Sequence, residues 1–286
     1  MAHAKEIRQQ IRSVRSTQKI TRAMEMVAAS KIRRAQERLR HSAPYADGIE
    51  AVVRRLARVH PEFPHPFLVP RPVRSLGILV VSTDRGLCGG LNVNLFRLLL
   101  QEIRRARSEN LPLSVGTFGN KAAVFVRRLR LDTLATATGV GDSPRLSNVI
   151  GPLKVMADAY REGRIDRLLL LGNRFVNTMV QQPVVHVLLP LHPSEEQELP
   201  VHWDYLYEPD GVRLIDTVLN RYLEARVYHA LVENACCEQA ARMVAMKSAS
   251  ENAAELINRL ELAYNKARQA AITREISEIV AGAEAV

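Results

Sequence analysis

The place in this chain best suited to hold a phosphate is residues 84–92. There Asp84-Arg85-Gly86-Leu87-Cys88-Gly89-Gly90-Leu91-Asn92 follows an apolar run and leads into a helical pattern. A strand-to-helix junction of this kind can aim backbone N–H groups at an anion. The glycines match neither the G-x-G-x-x-G fingerprint nor the loop that ends in Gly-Lys-Ser/Thr. The residues by themselves describe a tight, glycine-bearing turn with a polar Asp84–Arg85 element. Cys88 as a nucleophile would need a base beside it, yet no histidine occurs in the central segment before His186. The eight histidines (3, 41, 60, 65, 186, 192, 202 and 229) show no H-x-x-x-H spacing for a metal. Carboxylates gather at Glu195, Glu196, Glu198, Asp204, Glu208 and Asp210, among Trp203, Tyr205 and Tyr207. An acidic and aromatic connector of this kind suits a solvated or partner-facing surface better than an acid–base pair. No catalytic residue, cofactor or metal ligand is expected. Cys88, Cys236 and Cys237 give neither a disulfide framework nor a zinc site, and read as small buried apolar residues in a reducing compartment.

Charge is more informative than the candidate sites. The chain carries a net +10. Residues 1–40 hold eleven Lys/Arg against three acids, whereas residues 211–286 hold nine against ten, so the excess sits on the first segment. Such a segment faces nucleic acid, anionic lipid or an acidic protein surface. Arg8, Arg12, Arg15, Lys19 and Arg22 recur every three to four residues, as on a solvated helix face or a protein-facing stripe. Nucleic acid is disfavoured by the lack of aromatic residues to stack on bases. No apolar run reaches the ~18 residues that span a bilayer. The start of the chain lacks the apolar core and cleavage site of a secretory signal. A cytoplasmic protein that can attach to a membrane through a partner is expected.

The elements around these residues are unequal in length. Residues 211–286 contain no proline, and their only glycines are Gly211 and Gly282. Ala253, Leu256, Leu260, Tyr264, Ala267 and Ala271 recur in steps of three and four, which predicts one helix with an apolar stripe. At ~1.5 Å per residue such a helix is roughly 105 Å long, too long for a small domain to bury. Residues 3–57 predict a second long helix, with Ile7, Ile11, Val14, Met24, Val27 and Ile32 as apolar positions and a kink or break near residues 41–45 caused by Pro44. The two long helices are expected to pair as an antiparallel coiled coil, loosely wound because alanine replaces leucine over much of the stripe. Between them the pattern alternates. Residues 76–81, 113–118, 131–138, 165–171 and 179–189 read as strands, and residues 92–107, 120–130 and 146–161 as helices. That order predicts a mainly parallel, Rossmann-like α/β sheet with an antiparallel edge hairpin. The expected organisation is a first coiled-coil helix (1–58), a proline-rich linker (59–72), an α/β domain (73–192), an acidic and aromatic connector (193–210) and a C-terminal coiled-coil helix (211–286).

Four blocks in order then become specific. Residues 18–31 (Gln-Lys-Ile-Thr-Arg-Ala-Met-Glu-Met-Val-Ala-Ala-Ser-Lys), residues 84–92, residues 203–209 (Trp-Asp-Tyr-Leu-Tyr-Glu-Pro) and residues 265–283 resemble the gamma subunit of F-type ATP synthase, over essentially the whole chain. The resemblance implies a rotor shaft whose paired termini turn inside an alternating alpha/beta hexamer. The nucleotides belong to the hexamer, and the foot of the shaft meets the c-ring and the epsilon subunit. It further implies that Arg268, Gln269 and Thr273 meet beta near the top of the shaft. Arg242 and Met246-Lys247 would lie lower on that helix, with Lys19, Arg22, Met24 and Lys31 beside them. Tyr205, Tyr207 and Glu208 would face the c-ring and epsilon, placing the chain peripherally on the cytoplasmic side of a bacterial membrane. The proline content of residues 59–72 and the Cys236-Cys237 pair depart from the family pattern, and no chloroplast-type thiol insert is present. A basic nucleic-acid-binding helix pair and an enzyme built on the α/β domain are the competing readings.

Overall fold

The computed structural model describes residues 2–59, 65–191 and 211–284. It divides into two compact units, Ser30–Ala241 and Met1–Ala29 with Arg242–Val286.

The larger unit is built on a five-stranded sheet of β1 (Leu76–Val81), β2 (Leu113–Phe118), β3 (Asp132–Ala137), β4 (Arg167–Phe175) and β5 (Gln181–Leu189), in the order β3-β2-β1-β4-β5. All neighbours run parallel except β4 and β5, which form an antiparallel hairpin. Every residue of β1 is buried, which is why its sequence is continuously apolar rather than alternating. The pleat sends Ile78, Val80, Leu169 and Leu171 to one face, where α2 (Leu91–Ser108) and α3 (Asn120–Arg128) cover them. Leu79, Val81, Leu168 and Leu170 go to the other face, under α4 (Leu146–Arg161). That second face is also covered by the long helices α1 (Ala2–Val59) and α5 (Gly211–Glu284). Val53 comes from α1, and Ile215, Leu219, Leu223, Val227 and Leu231 come from α5 at intervals of four.

Residues 65–75, the described part of the predicted linker and the turn after it, are packed against the domain. Phe67 is fully buried beside Tyr160. Arg71 lies 2.8 Å from the Asp166 carboxylate, donates to the Tyr160 carbonyl at 2.6 Å and covers the Tyr160 ring. Asp166 also accepts from the backbone N–H groups of Arg74 and Ser75. Residues 60–64 lie outside the described residues.

In the larger unit the long helices run antiparallel: Ser42 pairs with His229 Nδ1 at 2.9 Å, and Glu50 further along α1 pairs with Arg226 earlier in α5. Of the kink or break expected near residues 41–45, a break does not occur: α1 runs through Pro44 as one helix. Pro44 removes one helical N–H donor, but packing through buried Ala46 and Val53 and the Ser42–His229 contact hold the helix on both sides of it. The seam is also stricter than residue types suggest. Ile7, Val14, Thr21, Ala28, Ala35, Ser42 and Ile49 are all buried or half-buried, and so are Ile11, Gln18, Glu25, Ile32, Leu39, Ala46 and Val53. Both series repeat every seven residues, the coiled-coil period, although half of their members are small or polar. On α5 the seam uses Ile257 rather than the predicted Leu256, which stays exposed. In the smaller unit Ile7 and Ile11 cluster with Ile257, flanked by Val14, Leu260, Tyr264 and Ala267, and Arg15 pairs with Glu261.

Gly119 opens α3 with φ +89°, and a Cβ there would stand 2.4 Å from the Ser82 carbonyl oxygen. Gly119→Ala is expected to destabilise the larger unit by about 2–3 kcal/mol, through backbone strain and the clash with a backbone atom. A lowered urea midpoint with an unchanged m-value is the readout.

Candidate functional site

In an open α/β sheet a ligand belongs at the switch point, where successive crossovers leave in opposite directions. Here that point lies between the C-terminal ends of β1 and β4. The chain's own C-terminal helix fills it. Asn234 of α5 accepts from Asn173 Nδ2 at 2.8 Å and donates to the Ser82 carbonyl at 3.2 Å, so one buried amide joins the ends of both strands. One residue earlier, Glu233 accepts from the Phe175 N–H at 3.0 Å, and burial pushes its carboxyl above the usual range. Cys237, one turn further on, reaches the Asn173 carbonyl at 3.5 Å.

The glycine-bearing turn at 84–92 closes on itself in the same region. Asn92 donates to Thr83 Oγ1 at 2.8 Å and to Cys88 Sγ at 3.3 Å, and accepts from the Thr83 N–H. Cys88, Leu91, Cys237 and Ala241 form one buried cluster, with Phe175 packed against it. Burial raises the Cys236 thiol to about 11 and the Cys237 thiol further still, so both remain protonated and non-nucleophilic at neutral pH. At the tip of the turn Leu87 is exposed and left-handed, with φ +64°.

The N-terminus of α3, the second place to hold an anion, is occupied by Asp84. Its carboxylate accepts from the N–H groups of Asn120, Gly139 and Gly141, each at 3.0 Å. Gly139 and Gly141 are both left-handed, which turns their N–H groups toward one centre. An internal carboxylate thus satisfies the donors that a phosphate would need. The sequence singled out Asp84 as a polar element; it could not indicate that the acceptor and its three donors come from separate loops. Among the described residues, no group of three or more His, Cys, Asp or Glu side chains is placed to hold a metal ion.

The long helices carry the other predicted positions. Lys19, Arg22, Arg268, Gln269 and Thr273 are exposed, and Met24 and Arg242 are half-buried. Met246 is buried, while Lys247 is exposed. The Lys31 amine is engaged within the chain, 2.6 Å from Asp142. Tyr205, Tyr207 and Glu208 lie outside the described residues. Ile272, Ile276, Ile279 and Val280 escaped sequence analysis; they form an exposed apolar stripe near the end of α5, with Ile279 71% exposed. Their i, i+4, i+7 spacing was legible, but only the structure separates them from the intramolecular seam. No described helix is long and apolar enough to cross a membrane.

The comparisons with known proteins agree with each other. A family model described as ATP synthase matches residues 3–286. The chain is 55% identical over its whole length to the ATP synthase gamma chain of Nitrosococcus oceani, and equally so to that of Methylococcus capsulatus, covering 100% of each. In fold it is similar to a chain of the Euglena gracilis mitochondrial ATP synthase determined with OSCP, F1 and c-ring (TM-score 0.70, 20% identity, covering 99% of this chain and 94% of that one). A chain of the rotor of the same Euglena enzyme gives TM-score 0.66 at 19% identity, covering 95% of this chain and 99% of that one.

Asp84→Ala would leave three backbone N–H groups without their acceptor, at a cost of about 1–3 kcal/mol read as a lowered urea midpoint. Titration of the unaltered chain with ATP is expected to release no binding heat; saturable uptake would mean that the filled crevice opens.

Proposed function

The chain belongs to the ATP synthase gamma chain family, and from that premise we propose that it is the central rotor shaft of a bacterial rotary ATP synthase, itself non-catalytic. Its partners are the alpha/beta hexamer, the epsilon subunit and the c-ring, and it is a peripheral component on the cytoplasmic face of the membrane. It couples ion flow through the membrane sector to ATP synthesis or hydrolysis in the hexamer. The observation that carries this reading is the filled crevice: the α/β domain spends its ligand position on gripping α5 through Asn234. A domain that holds a helix in place of a nucleotide is suited to transmit force to that helix.

Mechanically, a shaft acts by binding the conformers of its partners unequally. Rotation brings a different face to each beta subunit and shifts that subunit's equilibrium by the difference in contact free energy. The exposed stripe of Ile272, Ile276, Ile279 and Val280 suits an apolar lining around the end of α5. Arg268, Gln269 and Thr273 border it as polar contacts for beta, and Arg242, Lys19, Arg22 and Met24 serve lower contacts. The positive excess of residues 1–40 favours acidic beta loops. Tyr205, Tyr207 and Glu208 are assigned to the c-ring and epsilon.

Removal of residues 268–286 is expected to lower coupled ATP synthesis by about tenfold or more, with circular dichroism and limited proteolysis reporting an intact larger unit. Coupled synthesis at the unaltered rate would sink the assignment of this end of α5 to torque transmission. The tagged chain is expected to bring down alpha and beta subunits in a ratio of one chain to three of each.

A further inference from the structure

The apolar face that α5 lays on the sheet resists separation, but it is nearly non-directional. Resistance to turning must come from directional contacts, and from contacts with both long helices. A helix held alone can roll about its own axis. A pair held at two points cannot, because the points are separated by a lever arm set by the ~8–10 Å between helix axes.

One loop in the larger unit meets this requirement, between β3 and α4. Asp142 Oδ2 lies 2.6 Å from Lys31 Nζ of α1, and Asp142 Oδ1 accepts from Gln239 Nε2 of α5 at 2.9 Å. Gln239 is buried, so its amide depends on a partner inside the protein. The neighbouring Ser143 Oγ accepts from Arg38, one further grip on α1. The loop is itself fixed to the sheet domain, because the N–H groups of Gly139 and Gly141 are held by Asp84 from the end of β1. A continuous polar path thus runs from β1 through Asp84 and the glycine loop to Asp142, and from there to both helices. Further polar pins, among them Asn234, Glu233 and the Asp216 and Asn220 side chains held by Arg161, lie on α5 alone.

We propose that Asp142 is the positioning residue through which load passes from the α/β domain to the two long helices together. The inference rests on the rotor-shaft reading and assigns one residue to its transmission. Asp142 touches no nucleotide and no catalytic group. It acts by keeping α1 and α5 from turning against the domain that carries them.

The test uses the whole enzyme, reconstituted in vesicles, with Asp142→Ala, Asp142→Asn and Asp142→Glu. Three quantities are read: ATP hydrolysis, ATP synthesis driven by an imposed ion gradient, and the angular variance of a bead attached to the α/β domain while the hexamer is fixed to a surface. Asp142→Ala is expected to retain hydrolysis, to lose synthesis by roughly fivefold and to widen the angular variance. Asp142→Asn keeps the acceptor for Gln239 but loses the charge opposite Lys31, so it should fall between Asp142→Ala and the unaltered chain. Asp142→Glu should restore both synthesis and variance. If Asp142→Ala assembles poorly, Asp142→Asn and Lys31→Gln carry the same comparison, each widening the variance. Unchanged variance in the assembled variants would overturn the proposal, whatever happens to synthesis, because a merely structural role does not predict a softer joint. Failure of the unaltered chain to assemble with alpha and beta, or to rotate, would instead overturn the rotor reading itself.

Discussion

The buried amide of Asn234 sets the register on which this structure depends. Ile215, Leu219, Leu223, Val227 and Leu231 follow one another at intervals of four along α5, so the helix could slide by about one turn, ~5.4 Å, and meet the sheet with a similar apolar surface. Apolar contact alone distinguishes such positions weakly. Asn234 removes the degeneracy, because its amide finds Asn173 and the Ser82 carbonyl in only one of them. Displaced by a turn, three buried polar groups would lose partners, each at ~1–3 kcal/mol. The effect resembles that of a single buried asparagine in a coiled-coil seam, which fixes register at some expense of stability.

The same crevice explains how a nucleotide-type fold can be used without a nucleotide. Strand order, glycine-bearing turn and helix N-terminus are all present, but Asn234, Cys237 and Glu233 occupy the switch point, and Asp84 occupies the anion position at α3. Function lies in what fills the site rather than in the fold that shapes it. Raised thiols at Cys236 and Cys237 fit the same account: both are buried, Cys237 packs against Cys88 and Leu91, and burial suppresses the reactive form of each.

The long helices have a complementary economy. The α1 seam keeps a seven-residue repeat while using alanine, serine, threonine and glutamine at many of its positions. Small residues permit close approach but bury little apolar area, roughly 25 cal/mol being gained per Å² removed from water. A pair joined this way leaves larger apolar side chains facing outward: Ile20, Met26 and Val27 on α1, and Leu262 and Ile276 on α5. Those side chains are available to surrounding partners, and the basic excess of residues 1–40 lies on the same helix.

Local periodicity was sufficient for much of this protein. Residues 76–81 and 113–118 were legible as strands to the residue, and residues 146–161 as a helix, because a continuous apolar run and a 3.6-residue period are properties of the chain itself. The antiparallel edge hairpin and the two long helices followed from the same signals, and the four family blocks carried the function. The heptad of α1 did not emerge from residue types, since a buried alanine or glutamine carries no apolar signal. Leu256 and Ile257 could not be ranked by periodicity, because adjacent positions differ by only 100° around a helix and the partner decides which one it covers. Helix continuity through Pro44 depended on packing to either side of it. The sequence by itself determined the elements, their order and the family. Only the tertiary structure decided that Asn234 and Asp84 stand where a ligand would, and that Asp142 meets Lys31 and Gln239. Those contacts join residues that are far apart in the chain, and folding alone brings them within hydrogen-bonding distance.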